Sequence, residues 1–508
     1  MGAVEFDAPV RSTERSARHD DAALHRQGKR PQLKRNFGFM SMVGFSSTLM
    51  ATWEPLAALL QGGLVNGGPA SLVYNFLICF FGTLATAASL GELASMAPTS
   101  GGQYHWVGIL APAKWSVKAS WLTGWISVLA WLAATATPAF LGATLLQGLF
   151  VLNNPNYVFE RWHGTLLYFA VIFIAVFVNV YLIKFLPYLE TIILILHIGL
   201  FFAIVIPLVY LAPQHSAEFV FTDFENLGGW PSNGMAWCVG LLTCAFPFTG
   251  YDGACHMSEE IEDAEHVVPR ALITSVALNG ALGFGFLIAL LFSMGDLETA
   301  LSTPTRYPII EIFYQATASK KATNAMIAGL ICSAVCAVLG LMASASRTTW
   351  AFARDNGLPF SKTLSYVDPK RAIPFNAIAA TTLPLLLLGL INIGSTAAFY
   401  AIAGVATVAL YFTYLAPIAL LVLKRVKREP VALGPWRLGK WGLPINLFSL
   451  CYSIFISIFL FFPSFLPVTP QNFNWTVVVF FGSVLISIIS WFWYGRSVYH
   501  GPIKEMYD

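Results

Sequence analysis

The chain has 508 residues, 56% of them hydrophobic and 11% charged, with a mean hydropathy of +0.66. A soluble protein carries about a quarter charged residues, so this composition excludes a soluble globular domain and indicates a chain that lives in a bilayer. The net charge of +3 says little by itself; the placement of the charges says more.

Residues 1–35 are polar, rich in Arg, Ser and Asp, and without apolar period. They are expected to form a disordered cytoplasmic tail, not a cleaved signal peptide, because no short apolar core with a small-residue cleavage site follows. Beyond them, apolar runs lie at about 37–62, 69–95, 118–150, 165–186, 189–212, 234–257, 270–294, 322–349, 375–393, 396–423, 444–463 and 475–495. Each is long enough for the roughly 20 residues that cross a bilayer core. No alternating apolar and polar strands occur, so the expected class is an all-α polytopic membrane protein with twelve transmembrane helices. With the N-terminus in the cytoplasm, all of the 29 Lys and Arg except Arg161, Arg306, Lys320 and Lys321 fall on the inner side. That bias orients the chain and leaves the 496–508 tail inside as well.

The first run contains FSSTLMATWEPLAALL (45–60), in which Glu54 sits beside Trp53 and before Pro55. A carboxylate at that depth costs on the order of 2.5–3.5 kcal/mol by insertion scales, and the proline removes a backbone donor and breaks the helix. The sixth run contains LLTCAFPFTGYDGACHMSEE (241–260), where Pro247, Gly250 and Gly253 punctuate the helix around Asp252. Helix breakers at corresponding places in two halves point to a solute site in secondary transporters. Five spans start at each, which divides the chain into a first repeat at 36–213, a second at 234–423, and two further helices at 444–495. An odd number of spans per half makes the repeats inverted. Unwinding bares backbone N–H and C=O groups for a ligand, with half-helix N-termini favouring anions and C-terminal ends favouring cations.

Several segments carry a resemblance. SLGELASMAPTSGGQYHW (89–106) resembles the signature after the second helix in the amino acid–polyamine–organocation (APC) superfamily. SRTTWAFARDNGLPFSK (346–362) resembles its pattern at the end of the eighth helix, and FPFTGYDGACHMSEEIEDAEHVVPRAL (246–272) its sixth-helix pattern. Together with GPWRLGKWGLPIN (434–446) and FFPSFLPVTP (461–470), they look like the fungal amino acid/choline transporter subfamily, which includes choline and GABA permeases. The match covers about residues 36–495. It implies a 5+5 inverted repeat with discontinuous helices 1 and 6, alternating access, and coupling to a proton gradient. Some choline-permease relatives have Asn-Ser-Trp where this chain has Ala51-Thr52-Trp53, and lack an acid after the Trp.

The resemblance also implies where the solute site lies. On helix 1 it is lined by Met50, Ala51, Thr52, Trp53 and Glu54; on helix 6 by Phe246, Phe248, Thr249, Gly250, Tyr251 and Asp252; on helix 3, Trp125 and Trp131 are candidates. Bare N–H groups near Thr52 and Gly250 suit a carboxylate, and the faces of Trp53, Phe246 and Tyr251 suit an ammonium, worth up to ~2 kcal/mol when desolvated. Glu54 and Asp252 admit three roles: counter-charge to a cationic solute, proton carrier tuned by desolvation, or neutral structural acid. His197 in the fifth span is a further proton-coupling candidate, set against an ordinary buried histidine.

Other charged features have mundane readings. Glu92, Glu190, Lys184 and Arg347 sit near cytoplasmic ends, where snorkelling or ion pairing is expected. The acidic turn Glu259, Glu260, Glu262, Asp263 and Glu265 is expected to pack on cytoplasmic basic loops. The seven cysteines indicate neither a disulfide framework nor a metal site, and no sodium site is assigned at Ser344 and Ser346. No metal cluster, nucleophile elbow or phosphate-binding loop is present, so neither an enzyme nor an ATP-driven pump is expected, and no cofactor or nucleic-acid partner. The expected function is a proton-coupled secondary transporter (permease) for a small nitrogenous solute, an amino acid or choline-like amine, with protons and the lipid bilayer as its other partners. The plasma membrane is favoured over the vacuole. The alternative is a transporter-like nutrient sensor with little flux.

Overall fold

The computed structural model describes residues 20–394, 397–470 and 472–503. Among them there is no strand, only two isolated β-bridges, Phe37 to Ile261 and Asn66 to Asn226. Among the described residues, ten helices are long and apolar enough to cross a membrane. The apolar runs at 37–62 and 234–257 are not among the ten, because each is broken. The first gives α1 (Phe39–Met50), α2 (Trp53–Ala58) and α3 (Leu60–Val65). After it come α4 (Gly68–Met96), the short α5 (Gln103–Leu110), α6 (Ala113–Asn153), α7 (Arg161–Tyr181) and α8 (Leu186–Leu211). The second gives α9 (Asn233–Val239), α10 (Leu241–Ala245) and α11 (Gly253–His256), followed by α12 (Ala264–Phe292), the short α13 (Pro308–Thr317), α14 (Lys320–Arg354), α15 (Phe375–Gly394) and α16 (Ala397–Val426). Two more, α17 (Gly442–Phe459) and α18 (Thr476–Ser490), close the chain.

Burial sorts the helices into centre and rim. Inside α6, 78% of the most apolar window is buried, against 17% for the span containing α18. The rim presents Phe177, Ile195, Ile206 and Leu485 outward, a continuous apolar face that water does not tolerate and a bilayer does. At 41 residues, α6 is about 60 Å long, twice the ~30 Å hydrocarbon thickness. Its first turns, with Lys114 and Lys118 around the exposed Trp115, therefore project beyond the apolar layer.

Polar contacts fix α17 to α4. Every third residue on one face of α4 meets a partner: Thr83 the Tyr452 hydroxyl at 3.4 Å, Thr86 the Ser449 hydroxyl at 2.9 Å, Ser89 the Asn446 amide at 2.8 Å. Glu92 completes the row by accepting from Arg425 of α16 at 2.7 Å. Hydrogen bonds of this kind specify helix partners where lipid removes the hydrophobic incentive.

The expectation of a disordered tail through residue 35 does not hold for residues 20–35; residues 1–19 lie outside the described residues. A helical turn over 20–26 leads into a strap, and the buried Ala23, Leu24 and Leu33 anchor it. Arg26 reaches Glu265 at 2.5 Å, and Lys29, wholly buried, pairs with the wholly buried Asp355 just after α14. Asp355 also accepts from the Tyr104 hydroxyl at 2.9 Å and from the Ile503 amide at 3.0 Å, so both ends of the described chain meet at one carboxylate. The acidic turn packs on this termini face, but Glu259 and Glu260 meet the end of α14 and not the basic loops expected for them. Glu259 accepts two bonds from Arg354 at 2.7 and 2.9 Å, and Glu260 two from Arg347 at 2.7 and 3.4 Å.

Candidate functional site

The two breaks face one another. Helix α1 ends at Ala51, whose backbone is left-handed (φ 41°), and Pro55 denies the continuing helix a donor. Opposite it, the chain unwinds between the 3-10 turn at Phe246–Phe248 and α11, with Gly250 at φ 95°. A Cβ on Gly250 would stand 3.2 Å from the Leu49 carbonyl oxygen; both the φ and the close approach require glycine. The breaks are also tied together. The Thr52 hydroxyl donates to the Pro247 carbonyl at 2.9 Å, and the Thr52 amide donates to Asn279 Oδ1 on α12 at 3.2 Å. Both unwound segments thereby keep partners that a lipid-exposed break would lose.

Between them lies a small hollow walled by Leu49, Met50, Ala51, Glu54, Phe246, Thr249 and Gly250, with Pro138 and Leu141 of α6 and Ala334 and Ala337 of α14 behind. A water-sized sphere can be centred in about 40 Å³ of it, against the roughly 10–15 Å³ one water needs. A second hollow, about 340 Å³ by the same measure, opens on the other side of Phe246. Phe246 is the one described residue that lines both. The second hollow is walled by Leu59, Gln61, Thr243 and the 459–475 region, away from the termini face.

Among the described residues, Glu54 is the only one with an ionisable carboxyl or basic side chain lining the small hollow. Its Oε1 lies 2.7 Å from His197 Nδ1 on α8, with both side chains almost fully buried. Among the described residues, Oε2 and His197 Nε2 have no hydrogen-bond partner. At that separation a hydrogen bond joins the pair, while Oε2 stays buried without one. Trp53 turns the other way. It is wholly buried against His197, Phe201 and Phe286, with ring centroids 5.9, 6.3 and 5.2 Å distant.

The remaining expected site residues sort by position. Ala51, Glu54, Phe246, Thr249 and Gly250 line the hollow; Thr52 stitches the breaks; Phe248 packs on Phe76 and Phe80. Asp252 points away from the hollow's wall: Oδ2 accepts from Gln103 at 2.7 Å, Oδ1 from the Tyr414 hydroxyl at 2.5 Å, and His256 lies 3.8 Å off. It clamps α5, α11 and α16 together, with Tyr251 beside Tyr414. Trp131 packs edge-on to His256. Trp125 is not at the site. It joins a separate aromatic cluster with Trp121, Phe352 and Tyr499. Along α6 it lies 13 residues, about 20 Å, before Pro138. Sequence reasoning missed Asn279, Gln103 and Tyr414; the one available signal was a lone amide in an otherwise apolar 270–294 run.

Broken helices meeting around a small, nearly apolar hollow with one partnered carboxyl define a helical membrane permease. The comparisons with known proteins agree. The family model described as amino acid permease matches residues 37–483, and the chain belongs to that family. It is 36% identical to a candidate amino acid/polyamine transporter of Macrophomina phaseolina, over 86% of this chain and 96% of that one. It is 32% identical to the choline transporter of Saccharomyces cerevisiae (92% and 83% covered) and 29% identical to amino-acid permease 2 of Neurospora crassa (96% and 90% covered). These relatives are transporters and permeases, not enzymes, and the fungal amino acid/choline resemblance read from the motifs stands.

Proposed function

We propose that the protein is a secondary active transporter that imports a small nitrogenous solute, an amino acid or a choline-like amine, by proton-coupled alternating access. The observation that carries this reading is the Glu54–His197 pair at the wall of a hollow between two broken helices. A solute ammonium or the N–H donor of an amine finds Glu54 Oε2 free, while the aromatic wall of Phe246 and the carbonyls ending α1 complete a site of negative potential. A proton added to the pair and a cation placed on Oε2 draw on the same carboxyl, which is a direct way to couple the two.

The broken segments count as crossings in this reading, which makes twelve. A second correspondence supports the 5+5 inverted repeat: the short α5 follows α4 just as the short α13 follows α12. The termini face is assigned to the cytoplasm by the Lys and Arg bias, and the plasma membrane is the assigned location. The bilayer, protons and the solute are then the partners. Asp252, held by Gln103 and Tyr414, acts in positioning α11.

The test is uptake by the purified chain in proteoliposomes with an imposed pH gradient, across amino acids, GABA, choline and polyamines. Accumulation of one class is expected; binding without accumulation favours a nutrient sensor instead. In Glu54→Gln, gradient-driven uptake is expected to vanish while surface expression is kept, and normal uptake with unchanged pH dependence removes Glu54 from the mechanism.

A further inference from the structure

Glu190 is expected from sequence to snorkel or pair near a helix end, and it does neither. It lies in the second turn of α8, wholly buried, where α1, α8 and α14 meet. A Cβ on Gly44 of α1 would stand 2.7 Å from the Glu190 carbonyl oxygen, and one on Gly340 of α14 would stand 3.1 Å from Glu190 Oε1. The glycines bring three backbones around this carboxyl. Its Oε2 accepts from the Thr48 hydroxyl at 2.6 Å, and Oε1 has no hydrogen-bond partner among the described residues.

The neighbouring groups make the setting unusual. Helix α1 has no titratable side chain, and α12 has only Glu265, His266 and Arg270 in its first two turns. Helix α13 brings Tyr314 and Glu311, the latter bonded by Gln315. On α14, Cys336 is within electrostatic reach of both Glu190 and Glu54, whereas Arg347 and Arg354 are committed to Glu260 and Glu259. Lys184, at the start of α8, is exposed. No cation among the described residues bonds Glu190. The contrast is with Glu92, Glu259, Glu260 and Asp355, each buried and each held by Arg or Lys. A buried carboxylate without a counter-ion costs several kcal/mol, so in this conformation the carboxyl is held as the acid.

On the transporter reading above, we propose that Glu190 is a second proton-holding site, placed between the Glu54–His197 pair and the termini face. His197 and Glu190 are seven residues apart on α8, about 10 Å along the helix axis. Helix α1 ends three residues after Thr48, the residue bonded to Glu190, so the swing of α1 from α8 and the loss of that bond are one event. With α1 against α8, Glu190 holds its proton; when α1 leaves α8, the Glu190 O–H bond breaks and the proton passes to water on the termini face, and the bared carboxylate then takes the proton that Glu54–His197 gained from the opposite side and now gives up. Both carboxyls are restored and one proton has crossed.

The experiment uses the full chain in proteoliposomes with trapped pyranine and radiolabelled choline, GABA and L-alanine. In Glu190→Gln, solute–solute exchange is expected to stay within about twofold of wild type, while gradient-driven accumulation and solute-coupled proton entry fall at least ~10-fold. Thr48→Val keeps the acid and removes only its donor; the charged form loses support, so the pH midpoint of accumulation is expected to move up. If Glu190→Gln accumulates like wild type, or folds but loses exchange equally, the assignment fails. If Glu190→Gln does not fold, an unmoved midpoint in Thr48→Val overturns it. A wild-type chain that moves none of these solutes in either mode takes down the transport reading and this assignment together.

Discussion

The two sides of the small hollow are built from opposite chemistry. Toward the termini face the contacts are ionic: Lys29 on Asp355, Arg354 on Glu259, Arg347 on Glu260 and Arg26 on Glu265. Toward the opposite face, beyond Phe246, a hollow of about 340 Å³ has no charged side chain among the described residues on its wall. The difference teaches how each side can yield. A buried ion pair holds strongly while intact and gains water as soon as it parts, so an ionic contact is bistable; an aromatic ring yields by a rotamer change. The ion pairs lie on the termini side, and Phe246 is the one described residue that the two hollows share.

Breaking the ionic side is expected to have the largest effect. Asp355→Ala strands the buried Lys29 ammonium, the Tyr104 hydroxyl and the Ile503 amide. Removing one partner of a buried pair costs about 3–5 kcal/mol, to be seen as a lowered melting temperature and faster thiol labelling of the buried Cys255. Next comes Gly250→Val. A β-branched residue at φ 95° costs at least ~1–2 kcal/mol, and its Cβ presses the Leu49 carbonyl 3.2 Å away; uptake is expected to drop about 10-fold with the protein still folded. Phe246→Ala removes the ring that both hollows share, and a severalfold rise in KM with a smaller change in kcat is expected from uptake kinetics.

The pH response separates the two sides further. Burial alone raises the carboxyls of Asp355 and Glu259. Lys29 and Arg354 at the first outweigh it, as do Arg354, the Ser100 amide and Lys29 at the second, holding both below their ordinary 3.8 and 4.5. For depressed acids the stabilisation is present above the ordinary value and lost only as pH falls through the folded one. The melting-temperature gap between wild type and Asp355→Ala is therefore expected to stay constant from about pH 5.5 to 8, and a gap that closes within that window contradicts the ionic contact. The smallest effect is expected for Trp125→Ala, whose ring lies in a cluster apart from the hollow: KM for the solute should not move.

The breaks were legible because Pro55, Pro247 and Gly250 are local signals that no tertiary context can hide. The pairing of Glu54 with His197 was not, since 143 residues separate them and neither position names its partner. Composition misled at the strap: residues 20–35 look polar and unstructured, and only the burial of Lys29 against a carboxylate far along the chain orders them. Distance from a helix end misled at Glu190, because glycines on two neighbouring helices, not the helix terminus, decide what covers it. Trp125 was misplaced because α6 is far longer than one crossing and its first half serves a different cluster.

The row Thr83, Thr86, Ser89 and Glu92 on α4 has a consequence for how the molecule is made. These groups appear early in synthesis, but Tyr452, Ser449 and Asn446, which cover the first three, arrive hundreds of residues later. Until then the nascent protein offers hydroxyls to lipid. A chain cut short before residue 442 would lack all three of those partners, leaving Thr86 and Ser89 only the carbonyls of Gly82 and Ala85 in their own helix.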